Sequence, residues 1–215
     1  MRNILASLVL TVAAVGFVTA GTGIPGAQAG SKKYTLNNAV GKNSIAFVSD
    51  APMEKINGTA DGVSGSFMLD VANLESTTGR IEVKVETMKT ANSKRDDHMY
   101  SEMWLHASAH PTISFDVKSL KDVKVVTKDG RSVVTAKAVG TFTAHGVSKP
   151  STADITISYI TESAETKKRA TGNLVMVEST FTVALADHKI AGKEGVVGKS
   201  VGETIVVQAK LFANS

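Results

Sequence analysis

Arg80-Ile81-Glu82-Val83-Lys84-Val85-Glu86, written RIEVKVE, decides the fold class. Three aliphatic side chains fall on one face of an extended chain and four charged ones on the other. That period of two marks a strand with one dry and one wet side. Three further segments repeat it. Ile113, Phe115 and Val117 alternate with Ser114, Asp116 and Lys118. Ile155, Ile157 and Tyr159 alternate with Asp154, Thr156 and Ser158. Ile205, Val207, Ala209 and Leu211 alternate with Val206, Gln208, Lys210 and Phe212. Parallel strands, covered on both faces, would read as continuous apolar runs, so an antiparallel sheet is expected.

Working outward, weaker strand signals cover Tyr34 to Leu36, Ser44 to Val48, Ser66 to Val71, Val123 to Thr127, Ser132 to Thr143 and Leu174 to Leu185. Asp129-Gly130 is a two-residue hairpin signal. Glu162 to Gly172, ESAETKKRATG, reads as a longer exposed loop. One segment departs from the strand rhythm. Ser93-Lys94-Arg95-Asp96 resembles a capping box, after which Met99, Tyr100, Met103 and Trp104 share one helical face, and Pro111 follows where a helix has stopped. Eight to ten short strands, one helix and no alternation of strands with helices predict an all-β barrel or sandwich. A barrel is preferred because it removes the exposed edges of long strands.

Composition narrows the function classes. The 215 residues are 42% hydrophobic and 20% charged, with a net charge of +4 and no cysteine. Disulfides, thiolate metal sites and a lipid-modified N-terminal cysteine are therefore excluded. The basic excess is small and no basic run interleaves with aromatics, so nucleic acid is not an expected partner. Arg2, the apolar run from Ile4 to Val18 and the small-residue site Ala27-Gln28-Ala29 read as a secretory signal peptide over residues 1–29, with 30–215 as the mature domain. Val18-Thr19-Ala20 is a second cleavage site. The apolar run is short for a membrane span, so none is expected after cleavage; an uncleaved anchor is the alternative.

Catalytic patterns are sparse. Gly62-Val63-Ser64-Gly65 has the wrong spacing for a nucleophile elbow, and glycine-rich phosphate loops are missing. Asp96-Asp97 fits helix-start electrostatics better than acid–base work. His98, His106 and His110 fall within thirteen residues, and no zinc-protease-type pair of ligands on one helix face is read among them. His98 and His106, two helical turns apart, would stand about 12 Å from each other along a helix axis. Structural or surface roles are expected for the histidines, and no metal site. The strand containing Ala136, Ala138 and Gly140 carries small residues on the same face as Val134 and Phe142. In a closed barrel such a face either leaves room for a slender ligand or is filled by larger neighbours.

Three segments carry a family resemblance. KRDDHMYSEMWLHASAHPTISF, Lys94 to Phe115, is similar to the helix motif and following Pro-x-Ile-x-Phe strand of the YceI-like family of polyisoprenoid-binding, lipocalin-like proteins. GTFTAHGVSKP, Gly140 to Pro150, resembles that family's Gly-x-Leu-Thr-x-x-Gly-Val-Thr-Lys-Pro signature. NSIAFV, GVSGSFMLDV and VGKSVGETIVVQAKLFA resemble its first two strands and its last. The resemblance implies an antiparallel eight-stranded lipocalin-like barrel, with one short α-helix at its mouth and a long apolar cavity, exported to the periplasm or beyond. It implies a non-enzymatic carrier of an isoprenoid lipid, with no cofactor, and leaves dimerisation open.

On that reading Phe47, Phe67, Ile81, Val83, Phe115, Phe142 and Ile157 are expected to face the cavity, and the Met99, Tyr100, Met103, Trp104 face of the helix to close or line it. Arg95, His98 and His145 are the candidates for a polar contact to the ligand's head. Alternatives are an enzyme acting on a bound quinone or prenyl compound, with His98 or His145 as acid or base, and a solid barrel with a stress or adhesion role. This chain departs from the family pattern at Val48 to Ala51, where relatives carry a histidine, and at Thr59, Ala60 and Val63, where they carry phenylalanines. Met103-Trp104 stands in place of an aromatic pair, and His110 in place of tyrosine. All four departures fall where a cavity mouth would be shaped.

Overall fold

The computed structural model describes residues 18–19, 22–128 and 131–215. Most of the leader's apolar run, the Ala20 cleavage position and the Asp129-Gly130 hairpin signal lie outside the described residues. In chain order the strands are β1 (Val18–Thr19), β2 (Ser31–Leu36), β3 (Ser44–Asp50), β4 (Lys55–Ala60), β5 (Val63–Asp70), β6 (Thr78–Lys84), β7 (Met88–Lys89), β8 (Thr112–Lys128), β9 (Arg131–Ala144), β10 (Val147–Ile160), β11 (Leu174–Ala184) and β12 (Thr204–Asn214). Among the described residues one α-helix, α1, spans Ser93–Tyr100 between β7 and β8.

β2 to β12 make eight antiparallel staves, and β1 pairs with the end of β8. β2 and β3 lie end to end along β12, pairing Ala213 with Leu36 and Val207 with Phe47. β5 and β4 lie end to end against them, and β6 and β7 against β5 and β4 in turn. β8 to β12 then follow as a simple meander, and β12 meets the first stave to close the ring. Closure leaves no long edge strand for another chain to extend.

The expected strands form, with three differences. Val123 to Thr127 is the end of the 17-residue β8 rather than a separate strand, reached through register shifts at Val117/Ser119 and Lys121/Lys124. Lys55–Ala60, which gave no strong signal, is β4, because its buried residues Ile56 and Ala60 are separated by the Gly58 on which the Phe47 ring lies. The RIEVKVE strand ends at Lys84. Val85 starts a 3-10 turn, is buried, and donates its N–H to the Pro111 carbonyl at 2.9 Å.

The barrel is solid in one half and hollow in the other. Away from α1, Tyr34, Phe67, Leu69, Leu74, Leu120, Val134, Ile155, Ile157 and Val175 form one buried cluster. Ala136 and Ala138 belong to it, so there the small residues pack among larger ones and do not line the mouth-side cavity. Gly140 has a different role: a Cβ there would stand 2.1 Å from the Asp116 carbonyl oxygen, so glycine permits β9 to approach β8 closely. The segment from Thr22 to Ala27 lies against this solid half. Ile24, 9% exposed, joins the cluster, and backbone bonds run from Ile24 to Val71 and from Leu74 to Thr22.

Candidate functional site

The other half encloses a cavity of about 640 Å³ with largely apolar walls. Its floor is aromatic. Phe115 on β8 and Phe142 on β9 each meet Phe181 of β11 edge to face, with centroids 5.4 Å apart in both pairs. Alternation along the three strands turns all three rings inward at nearly the same height. Edge-to-face packing then closes the barrel above its solid half.

Of the residues expected to face the cavity, Phe47, Ile81, Val83, Phe115 and Phe142 line it, as do Met99 and Trp104. Phe67 and Ile157 do not. Both sit in the solid cluster, where Phe67 stacks on Tyr34 at 5.6 Å. They alternate inward as expected but lie too far along their strands. Met103 is also misplaced, because α1 ends at Tyr100 and the following turns carry Met103 outward to 53% exposure. The same turns bring Trp104 against Gly192, where a Cβ would lie 2.5 Å from the indole ring. The sequence reading missed Phe181, Ile190 and Leu185, which also line the cavity. For Phe181 the signal was present in the inward phase of β11; for the loop residue Ile190 there was none.

The mouth is polar and mostly cationic. Glu54, Lys94, Arg95, His98 and Lys193 are the charged or titratable groups among the described residues lining the cavity, and all belong to α1 or to mouth loops. Arg95 is engaged within the protein. It pairs with Glu54, and its Nε and Nη2 donate to Thr90 Oγ1 and the Thr90 carbonyl at 3.0 and 3.2 Å. This ties α1 to the β3–β4 turn. The helix is capped by Asn92, whose Oδ1 accepts from the Arg95 N–H at 3.2 Å, rather than by Ser93. Asp96 does more than favour the helix start. Buried at 5% exposure, it accepts from the Thr90 N–H and hydroxyl at 2.8 and 2.7 Å.

His145 lies outside the cavity lining, contrary to its expected role as a head-group contact. It stands at the β9–β10 corner beside His106 and His110. Their ligand nitrogens all lie within 4.8 Å of one another. The sequence reading gave these histidines only structural or surface roles and passed over the four-residue spacing of His106 and His110; the fold brings that pair together with His145 from a distant hairpin.

An eight-stranded antiparallel barrel with a helix-covered apolar cavity at one end defines the class: a β-barrel of lipocalin-like architecture. Residues 34–213 match the YceI-like domain, and the chain belongs to that family. A UPF0312 protein of Ectopseudomonas mendocina is 28% identical over 202 residues, 94% of each chain. One from Pseudomonas putida is 30% identical over 139 residues, covering 64% of this chain and 65% of its own. Among solved structures, BcnA of Burkholderia cenocepacia superposes with a TM-score of 0.62 at 14% identity, over 83% of this chain and 99% of its own. A polyisoprenoid binding domain from Saccharophagus degradans does so with 0.56 at 16% identity, over 85% and 98%. At these identities the structural likeness concerns the fold.

Proposed function

We propose that this protein is an exported, non-enzymatic carrier that holds the tail of an isoprenoid or similar long-chain apolar lipid in the mouth-side cavity. The observation that carries the reading is the hollow half-barrel itself: about 640 Å³, apolar along its walls, floored by three phenylalanines and ringed by cations only at its rim. Cavities of this size suit small-molecule ligands. Each methylene transferred from water into such walls contributes about 0.8 kcal/mol, so affinity would grow with the length of tail enclosed. The polyisoprenoid binding domain of similar fold supports the ligand class. The Phe115–Phe142–Phe181 floor limits the enclosed length, so a longer chain would leave its remainder at the mouth, and Lys94, His98 and Lys193 suit an acidic or strongly dipolar head. No acid–base pair faces the apolar depth of the cavity among the described residues, which favours carriage over turnover.

Export rests on residues 1–29. Cleavage after Ala20 would retain Ile24 in the core, whereas cleavage after Ala29 would remove it; the intact mass of the exported protein distinguishes the two. The central test is organic extraction of protein purified from its native host, followed by mass spectrometry. An apolar molecule recovered from the natural protein, and depleted in Val207→Trp, whose indole would occupy the cavity, is the expected result. Protein that yields no apolar molecule and displaces no apolar dye overturns the reading.

A further inference from the structure

The three histidines at the rim form a site separate from the cavity. His106 and His110 sit on one turn of the α1–β8 connection, where the His110 N–H donates to the His106 carbonyl at 2.8 Å. His145 and Gly146 form the tight corner between β9, which ends at Ala144, and β10. Ring centroids are 5.6 Å apart for His106 and His110, 5.4 Å for His110 and His145, and 6.4 Å for His106 and His145. All three rings are half-buried.

Two details go beyond proximity. His145 Nδ1 lies 3.1 Å from the His188 carbonyl, which can only accept, so Nδ1 carries the proton and the neutral ring offers the Nε2 lone pair. This is the outer-shell arrangement that orients metal-ligating imidazoles. Moreover, His106 and His145 both adopt left-handed backbone conformations, with φ of 49° and 50°. For non-glycine residues these carry a cost that clusters at functional sites. Gly146 completes the packing: with φ of 70°, a Cβ there would stand 2.6 Å from His110 Cε1, so only glycine lets that ring approach the corner.

We infer that His106, His110 and His145 bind a divalent transition-metal ion of the imidazole-preferring kind, such as Zn²⁺, and that the ion clamps the α1–β8 connection to the β9–β10 corner. Nitrogen ligands about 2.0–2.1 Å from a tetrahedral ion stand about 3.3 Å from one another. The ligand nitrogens now lie within 4.8 Å of one another, so the rings would rotate inward to hold an ion at that spacing. Three neutral ligands leave the ion its full charge and a fourth position for water. The clamp acts at the cavity rim, because Leu105 and Ala144, each next to a ligand histidine, line the cavity. Binding of the ion does not depend on what the cavity holds.

The test uses the full exported chain without a histidine tag. Titration with Co²⁺ is expected to produce the visible ligand-field bands of a four-coordinate ion at one equivalent, and Zn²⁺ to displace it. With Zn²⁺, the ring protons of His106, His110 and His145 shift in NMR while those of His98 do not, and amide exchange slows across 101–110. His145→Ala is expected to weaken Zn²⁺ binding at least 100-fold, and His98→Ala to leave it within threefold. A cobalt spectrum that stays that of the hexaaqua ion, or binding at one equivalent that shifts other histidines instead, overturns the proposal without reference to any variant's folding.

Discussion

At the scale of the residue, the mouth depends on a few buried polar groups that have no substitute. Asp96 is the acceptor for both the N–H and the hydroxyl of buried Thr90, and that hydroxyl in turn accepts from Arg95. Asp96→Ala leaves both donors unpaired away from water. It is expected to lower stability by about 2–3 kcal/mol, read from the urea midpoint, with Asp96→Asn losing less because one oxygen remains. At the solid end, burial, reinforced by the neighbouring Tyr34, raises the Tyr159 phenol above its ordinary value near 10. The folded chain therefore keeps this proton to higher pH than the unfolded chain does. Below about pH 10 both states are protonated and stability is unaffected; above it the unfolded chain ionises first and stability falls. Urea midpoints between pH 8 and 11 should show that decline, and Tyr159→Phe should make it shallower.

At the scale of the element, α1 is a short lid held by its ends. Eight residues form a marginal helix in water, so the lid depends on its cap and its ties to the barrel. Asn92→Ala removes the Oδ1 acceptor at the N-cap. A loss of about 1 kcal/mol is expected. Because that loss falls on the lid, faster amide exchange over residues 93–100, with the β8–β9 amides unchanged, is the measurement that checks it. Element by element, the strands were legible in proportion to their alternation. RIEVKVE, Ile113 to Val117 and Ile155 to Tyr159 were plain. Lys55–Ala60, whose Gly58 makes way for the Phe47 ring, was not. The helix was legible in type but not in extent: its expected apolar face runs past Tyr100, where the backbone turns instead.

At the scale of the whole molecule, one barrel joins a packed core to an open cavity through the Phe115–Phe142–Phe181 floor. Phe142→Ala should lower stability by about 3–5 kcal/mol, the cost of a large-to-small change in a well-packed site. If the carrier reading holds, it should also shift the extracted ligand toward longer tails, because the floor is what stops them; mass spectrometry reads the shift. By itself the sequence determined the antiparallel all-β class, the inward phase of the strongly alternating strands and the helix after Asn92, because side-chain alternation and capping are local consequences of backbone geometry. It could not determine the height at which an inward residue lies. Phe67 and Ile157 point inward like Phe47 and Phe142, yet only the second pair borders the cavity, since strand stagger decides which inward residues meet across the ring. Likewise His106 and His110 stand four residues apart, a spacing the sequence reading passed over, and His145 joins them only because β9 turns back into β10 beside the end of the lid. Contacts between residues far apart in the chain depend on barrel closure and register, which no local pattern contains.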